Sequence, residues 1–274
     1  MGSVINKFAF PVEAIDKSRT DLKNYVTLEF DQTNQSMISK IPPIKVSVLD
    51  VLPQHQASDE VIIYVHGNCE TVFTVSQMLS TKAKQFGRKI VCFDWAGYGD
   101  CQGEPSEQAL LKASQRVIEY VQSDLNTPLN KIIVWGRSIG SVGATFLASK
   151  YQIKKLILQS PLASAFDVAF EKHFLIGNAL LNKKRIKLYR GQILIIHGDN
   201  DEVVHFRNSI KLLEALGVGA IMQNMEVQNR VKSGQIDRVR FVQLVGAGHN
   251  NIEAQYENEL VQAIRETLRD ERVL

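Results

Sequence analysis

The sequence predicts an α/β chain built on a doubly wound, mostly parallel sheet. Three observations carry that reading. Short continuous apolar runs recur between residues 61 and 245, each closing on a small or polar cluster. Such runs suit strands buried on both faces. Helical stretches separate them, and alternating strand and helix at this spacing builds a parallel sheet with helices on either side. Before residue 50 the pattern differs. Tyr25–Phe30 and Ile44–Leu49 alternate, as half-exposed antiparallel strands do.

In chain order the buried runs are Val61–Val65, ending at His66-Gly67; Ile90–Phe93, ending at Asp94; and Lys131–Trp135, ending at Gly136. Leu156–Leu158 follows, ending near Ser160-Pro161, then Gln192–Ile196 ending at His197-Gly198, and Arg240–Val245 ending at Gly246. Helices are expected over Thr71–Phe86, Ser106–Leu125, Ser141–Tyr151, Ser209–Leu216 and Ile252–Arg269, with Asp201–Val204 leading into another short helical turn. No repeat or linker divides the chain, so one domain over residues 1–274 is expected, with a strand-rich extension over 1–40. The polar stretch Gly217–Arg240 reads as a surface insertion, a long loop; a partner contact is the other reading. In open α/β sheets, sites form beyond the carboxyl ends of the strands. The clusters that close the apolar runs should therefore converge on one rim.

Composition bounds the function. With 274 residues, 45% of them hydrophobic, the chain can bury a sizeable core. A formal charge of +3, and no Lys/Arg run interleaved with aromatics, argue against nucleic acid. The densest basic run, Lys183–Lys187, reads as a solvated helix end; an anionic membrane surface is the alternative. The cysteines are Cys69, Cys92 and Cys101, an odd count without zinc spacing. That favours a reducing, cytoplasmic setting over a disulfide framework. Cys92, inside an apolar run, reads as core. No stretch reaches the roughly 18–20 apolar residues that span a bilayer, and Met1–Phe10 lacks a signal-peptide core. Met1–Lys7 approaches a myristoylation pattern, with Asn6 where Ser or Thr is preferred. One acyl chain would give only weak peripheral membrane association; a plain disordered start is the other reading.

The strongest chemical signal is Gly136-Arg137-Ser138-Ile139-Gly140, a G-x-S-x-G run lying between a strand and a helix. A serine there sits on a sharp turn with its hydroxyl clear of the sheet rim, and Gly136 and Gly140 remove bulk on either side. Serine needs a base. His249, in Gly246-Ala-Gly-His-Asn250, follows the last strand, so Ser138 is read as nucleophile and His249 as general base. The orienting acid should follow Gln192–Ile196. Asp201 is chosen, with Asp199 as fallback and Asp167 as a weaker rival. The backbone N–H of Ile139, with that of Asn68 or Cys69, should form the oxyanion hole. His66 and His197, each preceding a glycine, read as loop supports. Cys69 is close enough to be a reactive thiol, though packing is the preferred reading. No histidine pair has metal spacing and no Gly-rich phosphate cradle follows a strand, so neither metal nor cofactor is expected.

These motifs sit beside Tyr64-Val-His-Gly-Asn-Cys69, Phe93-Asp-Trp-Ala-Gly-Tyr-Gly99, Gly103-Glu-Pro-Ser-Glu107, Gln159-Ser-Pro161 and His197-Gly-Asp-Asn-Asp-Glu-Val203. Together, over residues 40–270, they resemble the alpha/beta hydrolase domain-containing protein 17 group of the α/β-hydrolase superfamily. The resemblance implies an α/β-hydrolase fold and a serine hydrolase working through an acyl-enzyme, with Ser138, Asp201 and His249 as triad. It implies removal of palmitate from protein cysteines. The expected substrate is thus an acylated protein or a small acyl ester. A general carboxylesterase and a non-catalytic binding protein on the same fold are the alternatives. Mammalian members carry a cysteine-rich, palmitoylated N-terminus, whereas residues 1–40 here hold no cysteine. A minimal lid is expected over Asp167–Leu181, where Phe166, Phe170, Phe174 and Leu175 suit one amphipathic helix; plain core packing is the other reading.

Overall fold

The computed structural model describes residues 24–30, 44–53, 55, 58–164 and 180–269. Its strands are β1 (Tyr25–Phe30), β2 (Ile44–Val51), β3 (Val61–Val65), β4 (Lys89–Phe93), β5 (Ile132–Arg137), β6 (Lys155–Gln159), β7 (Gln192–Gly198), β8 (Glu226–Gln228), β9 (Val231–Ile236) and β10 (Val239–Leu244). They form a single sheet in the order β1-β2-β4-β3-β5-β6-β7-β10-β9-β8. The six strands from β4 to β10 in that order pair in parallel. Both flanks are antiparallel: β1 and β2 on one side, β9 and β8 on the other.

The helices are α1 (Val72–Phe86), α2 (Glu107–Ser123), α3 (Gly140–Lys150), α4 (Asn182–Arg185), α5 (Arg207–Ala215), α6 (Ile252–Gln255) and α7 (Glu257–Arg269). Successive strand residues point to opposite faces, and the core divides accordingly. Ile63, Val65, Val134, Leu156, Leu158 and Ile195 pack with α2, α3 and α5 on one face. Ile62, Tyr64, Trp135, Ile157, Leu194 and Ile196 pack with α1 and α7 on the other. The helix starts follow local chemistry. Thr71 caps α1 in a reciprocal box with Thr74, and Ser106 Oγ accepts the Ala109 N–H at 3.1 Å. Lys155, buried at the start of β6, closes the other end of α7. Its Nζ donates to the carbonyls of Thr267 (2.7 Å) and Leu268 (3.3 Å).

Two expectations are corrected. Gly217–Arg240 is not a loop: after a 3-10 turn at Gly219–Gln223 it forms β8 and β9, a hairpin that extends the sheet beyond β10. Asp201–Val204 is a bend that leads, as expected, into a turn, where the Asn208 N–H donates to the His205 carbonyl at 2.8 Å, and then into α5. Asp201 Oδ1 accepts the N–H groups of Val203 (2.9 Å) and Val204 (2.8 Å), an Asx turn that fixes this bend. The helix expected over Ile252–Arg269 breaks at Tyr256, whose hydroxyl donates to the Val245 carbonyl at 3.0 Å. The expected lid, Asp167–Leu181, lies almost wholly outside the described residues, as do Met1–Lys7 and most of residues 1–40. Among the described residues no helix is long and apolar enough to cross a membrane.

Candidate active site

The site lies at the carboxyl ends of the parallel strands, where the chain leaves β3 for β4 on one side and β5 on the other. Ser138 follows β5 directly. Its φ is 52°, a left-handed conformation that costs a non-glycine residue roughly 1–3 kcal/mol. The surroundings impose it: the Ser138 N–H donates to the Gln159 carbonyl of β6 at 2.9 Å, and its carbonyl accepts the Ser141 N–H at 3.0 Å. The turn leaves no room beside it. A Cβ on Gly136 would sit 2.7 Å from the Ala144 Cβ, and one on Gly140 would overlap the Val65 carbonyl oxygen. The elbow is thus pressed against β3 and its own helix. Ile139 immediately precedes α3, where N–H groups have no partner within the helix.

His249 is brought back over the elbow. Gly246, at φ 80°, turns the chain out of β10, and the Asn200 N–H donates to the Ala247 carbonyl at 3.0 Å. His249 Nε2 lies 3.0 Å from Ser138 Oγ, and its Nδ1 lies 2.7 Å from Asp201 Oδ2. All three residues are buried. With Nδ1–H donating to the carboxylate, Nε2 is free to accept the serine hydroxyl proton. Burial raises the Asp201 carboxyl, but hydrogen bonds from His197 and His249, and their charge, outweigh it and hold the carboxyl well below the usual carboxylate range. Asp199 does other work: its carboxylate accepts the Gly246 N–H at 2.6 Å and the Gln243 amide at 2.7 Å, shaping the loop.

The loop after β3 completes the rim. His66 stacks on Trp95 with centroids 4.2 Å apart, and its Nδ1–H donates to the Gly67 carbonyl at 2.8 Å. Tyr98 Oη donates to Asn68 Oδ1 at 2.5 Å. Cys69 has φ 62°, and the Gly67 N–H donates to Glu70 Oε2 at 2.5 Å, folding Gly67–Glu70 into a tight turn. The three cysteines are free thiols; Cys92 is core, as its apolar run predicts. Burial, then the Glu70 charge, pushes the half-buried Cys69 thiol up, away from thiolate character.

His197, read as a loop support, ties the Asp201 loop together, and the site also holds Ser160 and Arg137, to which the sequence reading gave no role. The His197 Nε2–H faces both the Val204 carbonyl (2.8 Å) and Asp201 Oδ2 (3.2 Å), so its Nδ1 accepts from Ser209 Oγ at 2.7 Å. Ser160, beside the elbow, is buried and left-handed at φ 46°. Arg137 is buried among Glu70, Glu253 and Asn250. A charged residue closing an apolar strand demands buried partners, and that was the available signal for Arg137.

The sheet order, with helices on both faces, is that of the α/β-hydrolase fold. The model of the alpha/beta hydrolase fold family matches residues 60–175. The chain has that fold and resembles the alpha/beta hydrolase domain-containing protein 17 group. It is 28% identical to protein 17B of Homo sapiens over 76% of this chain and 67% of that protein. It is 27% identical to the Caenorhabditis elegans domain-containing protein aho-3 over 70% of this chain, a stretch that spans only 53% of that relative's length. Among solved structures, the esterase Pf2001 of Pyrococcus furiosus covers 93% of this chain and 98% of its own at a TM-score of 0.66 and 14% identity. A serine hydrolase homologue from Coxiella burnetii gives 0.62 at 19% identity, with 92% of this chain and 100% of that chain covered. These neighbours carry the fold.

Proposed function

We propose that the protein is a serine hydrolase that cleaves an ester or thioester through an acyl-enzyme. The observation that carries this reading is the unbroken line from Ser138 Oγ to His249 Nε2 (3.0 Å) and from His249 Nδ1 to Asp201 (2.7 Å). Ser138 Oγ attacks the acyl carbon while His249 Nε2 takes its proton. Asp201 holds the imidazole in the required tautomer and stabilises the imidazolium. The carbonyl oxygen becomes an oxyanion facing the N–H of Ile139 and that of Asn68 or Cys69. His249 returns the proton to the leaving oxygen or sulfur, and the acyl group stays on Ser138. Water, deprotonated by His249, then attacks the ester and frees the carboxylic acid and Ser138.

The substrate we infer is an acylated protein, with a thioester as the bond cleaved. The similarity to the domain-containing protein 17 relatives supports it. A general carboxylesterase is the second reading, favoured by the likeness to esterase folds. A fluorophosphonate probe should label the wild type and leave Ser138→Ala unlabelled. Equal labelling of both refutes Ser138 as the nucleophile; no labelling of the wild type refutes the enzyme and leaves a binding protein. Long-chain acyl thioesters against short p-nitrophenyl esters separate the two enzymatic readings.

A further inference from the structure

Arg137 occupies the variable position of the elbow, yet all three guanidinium nitrogens are engaged by other loops. Nε donates to Glu253 Oε1 at 2.9 Å and Nη1 to Glu70 Oε1 at 2.9 Å. Nη2 faces the His249 carbonyl and Asn250 Oδ1, each at 3.3 Å. We propose that Arg137 is a positioning residue, a brace that fixes the oxyanion loop and the histidine loop against the nucleophile turn. The proposal rests on the reading of Ser138 and His249 as the reacting pair.

Each arm ends on a group that aims part of the site. Glu70 holds Arg137 with one oxygen and the Gly67 N–H with the other, so the guanidinium fixes the turn that carries Asn68 and Cys69. Glu253 Oε1 also accepts from Gln159 Nε2 at 2.7 Å, and the Gln159 carbonyl holds the Ser138 N–H. The third arm reaches the carbonyl of His249 itself. A Cβ on Gly67 would lie 2.6 Å from Nη1, so that glycine is where the loop backbone meets the guanidinium. A buried guanidinium is costly unless paired. Here two carboxylates from different segments pair with it, and the planar fork of arginine can serve both where one ammonium cannot.

Three variants test the brace. Arg137→Lys keeps the charge but loses the fork. Glu253→Ala cuts the Nε arm, which ties Arg137 and Gln159 to the segment just after His249. Glu253→Gln keeps an oxygen able to accept from both Arg137 and Gln159. Turnover, KM, fluorophosphonate labelling rate and thermal unfolding are measured on each, with rates corrected for the folded fraction. Because small misplacements cost up to about a hundredfold, R137K and E253A should lose roughly 10–100-fold in kcat and in labelling rate, with KM changed less than about twofold. E253Q should recover to within about threefold of wild type. The brace is overturned if R137K and E253A turn over within about twofold of wild type, if the loss falls on KM alone, or if E253Q is as impaired as E253A. Should R137K fail to fold, the E253A and E253Q pair decides. A wild type that resists labelling overturns the reading of Ser138 and the brace with it; a labelled wild type with unimpaired variants overturns the brace alone.

Discussion

Replacing Asp201 by asparagine separates what the carboxylate does for the histidine from what it does for its own loop. Oδ1 accepts the Val203 and Val204 amides, and an asparagine oxygen can keep both bonds. The new amide nitrogen then stands where Oδ2 meets His249 Nδ1 and His197 Nε2. It can only donate, so His249 is driven to the tautomer with its proton on Nε2. That nitrogen then cannot accept the Ser138 proton. The same change in a serine-protease triad costs about ten-thousand-fold in turnover, or roughly 5.4 kcal/mol at about 1.36 kcal/mol per decade. His197 Nε2–H loses one acceptor and retains the Val204 carbonyl, so the fold should lose only about 1–3 kcal/mol. Turnover of an ester substrate beside urea unfolding checks both figures. An Asp201→Asn protein keeping more than about a tenth of wild-type kcat would refute the assignment of the acid. Acid stability gives a second readout. The native Asp201 carboxyl titrates below its unfolded value of about 3.9. Its contribution is therefore full above that value and is lost as pH falls from there through the native pKa. Wild type should lose stability more steeply than the variant between about pH 5 and pH 2.

Further outcomes follow from the packing. Gly140→Ala should destabilise by about 3 kcal/mol, lowering Tm by roughly 6–12 °C in a scanning experiment, because the added Cβ meets the β3 backbone and no flexible side chain can give way. Ser138→Gly should be inactive yet more stable than Ser138→Ala by about 1 kcal/mol in urea titration, since only glycine relieves the left-handed strain. Lys155→Met strips the donor from the last carbonyls of α7 and should cost about 1–3 kcal/mol, seen as early hydrogen exchange in that helix; unchanged protection there would show that the cap is idle.

What was legible in the sequence was local. Ser138, Asp201 and His249 each stand just past an apolar strand, beside glycines that the turn requires, so position along the chain almost determined position in space. The β8–β9 hairpin was hidden because Val231–Ile236 carries Lys232, Ser233, Gly234 and Gln235 between its two apolar ends. It is half-exposed, so no apolar run or clean alternation announces it. The break at Tyr256 depends on a carbonyl eleven residues back, and the Arg137 brace on Glu70 and Glu253, each more than 60 residues away. Pairings at such separation leave no periodic trace.

The hairpin also changes how the molecule meets other chains. Without it, β10 would end the sheet, and the strand leading into the His249 loop would present a row of unpaired N–H and C=O groups, a template for intermolecular pairing. With it, β10 is zipped on both sides, to β7 and to β9. The outer edge passes to β8, three exposed residues including Glu226, too short to recruit a long strand. Fraying or adventitious pairing at that edge must undo two strands before it reaches the histidine. The edge open to other chains and the candidate triad are thereby separated in space along one sheet.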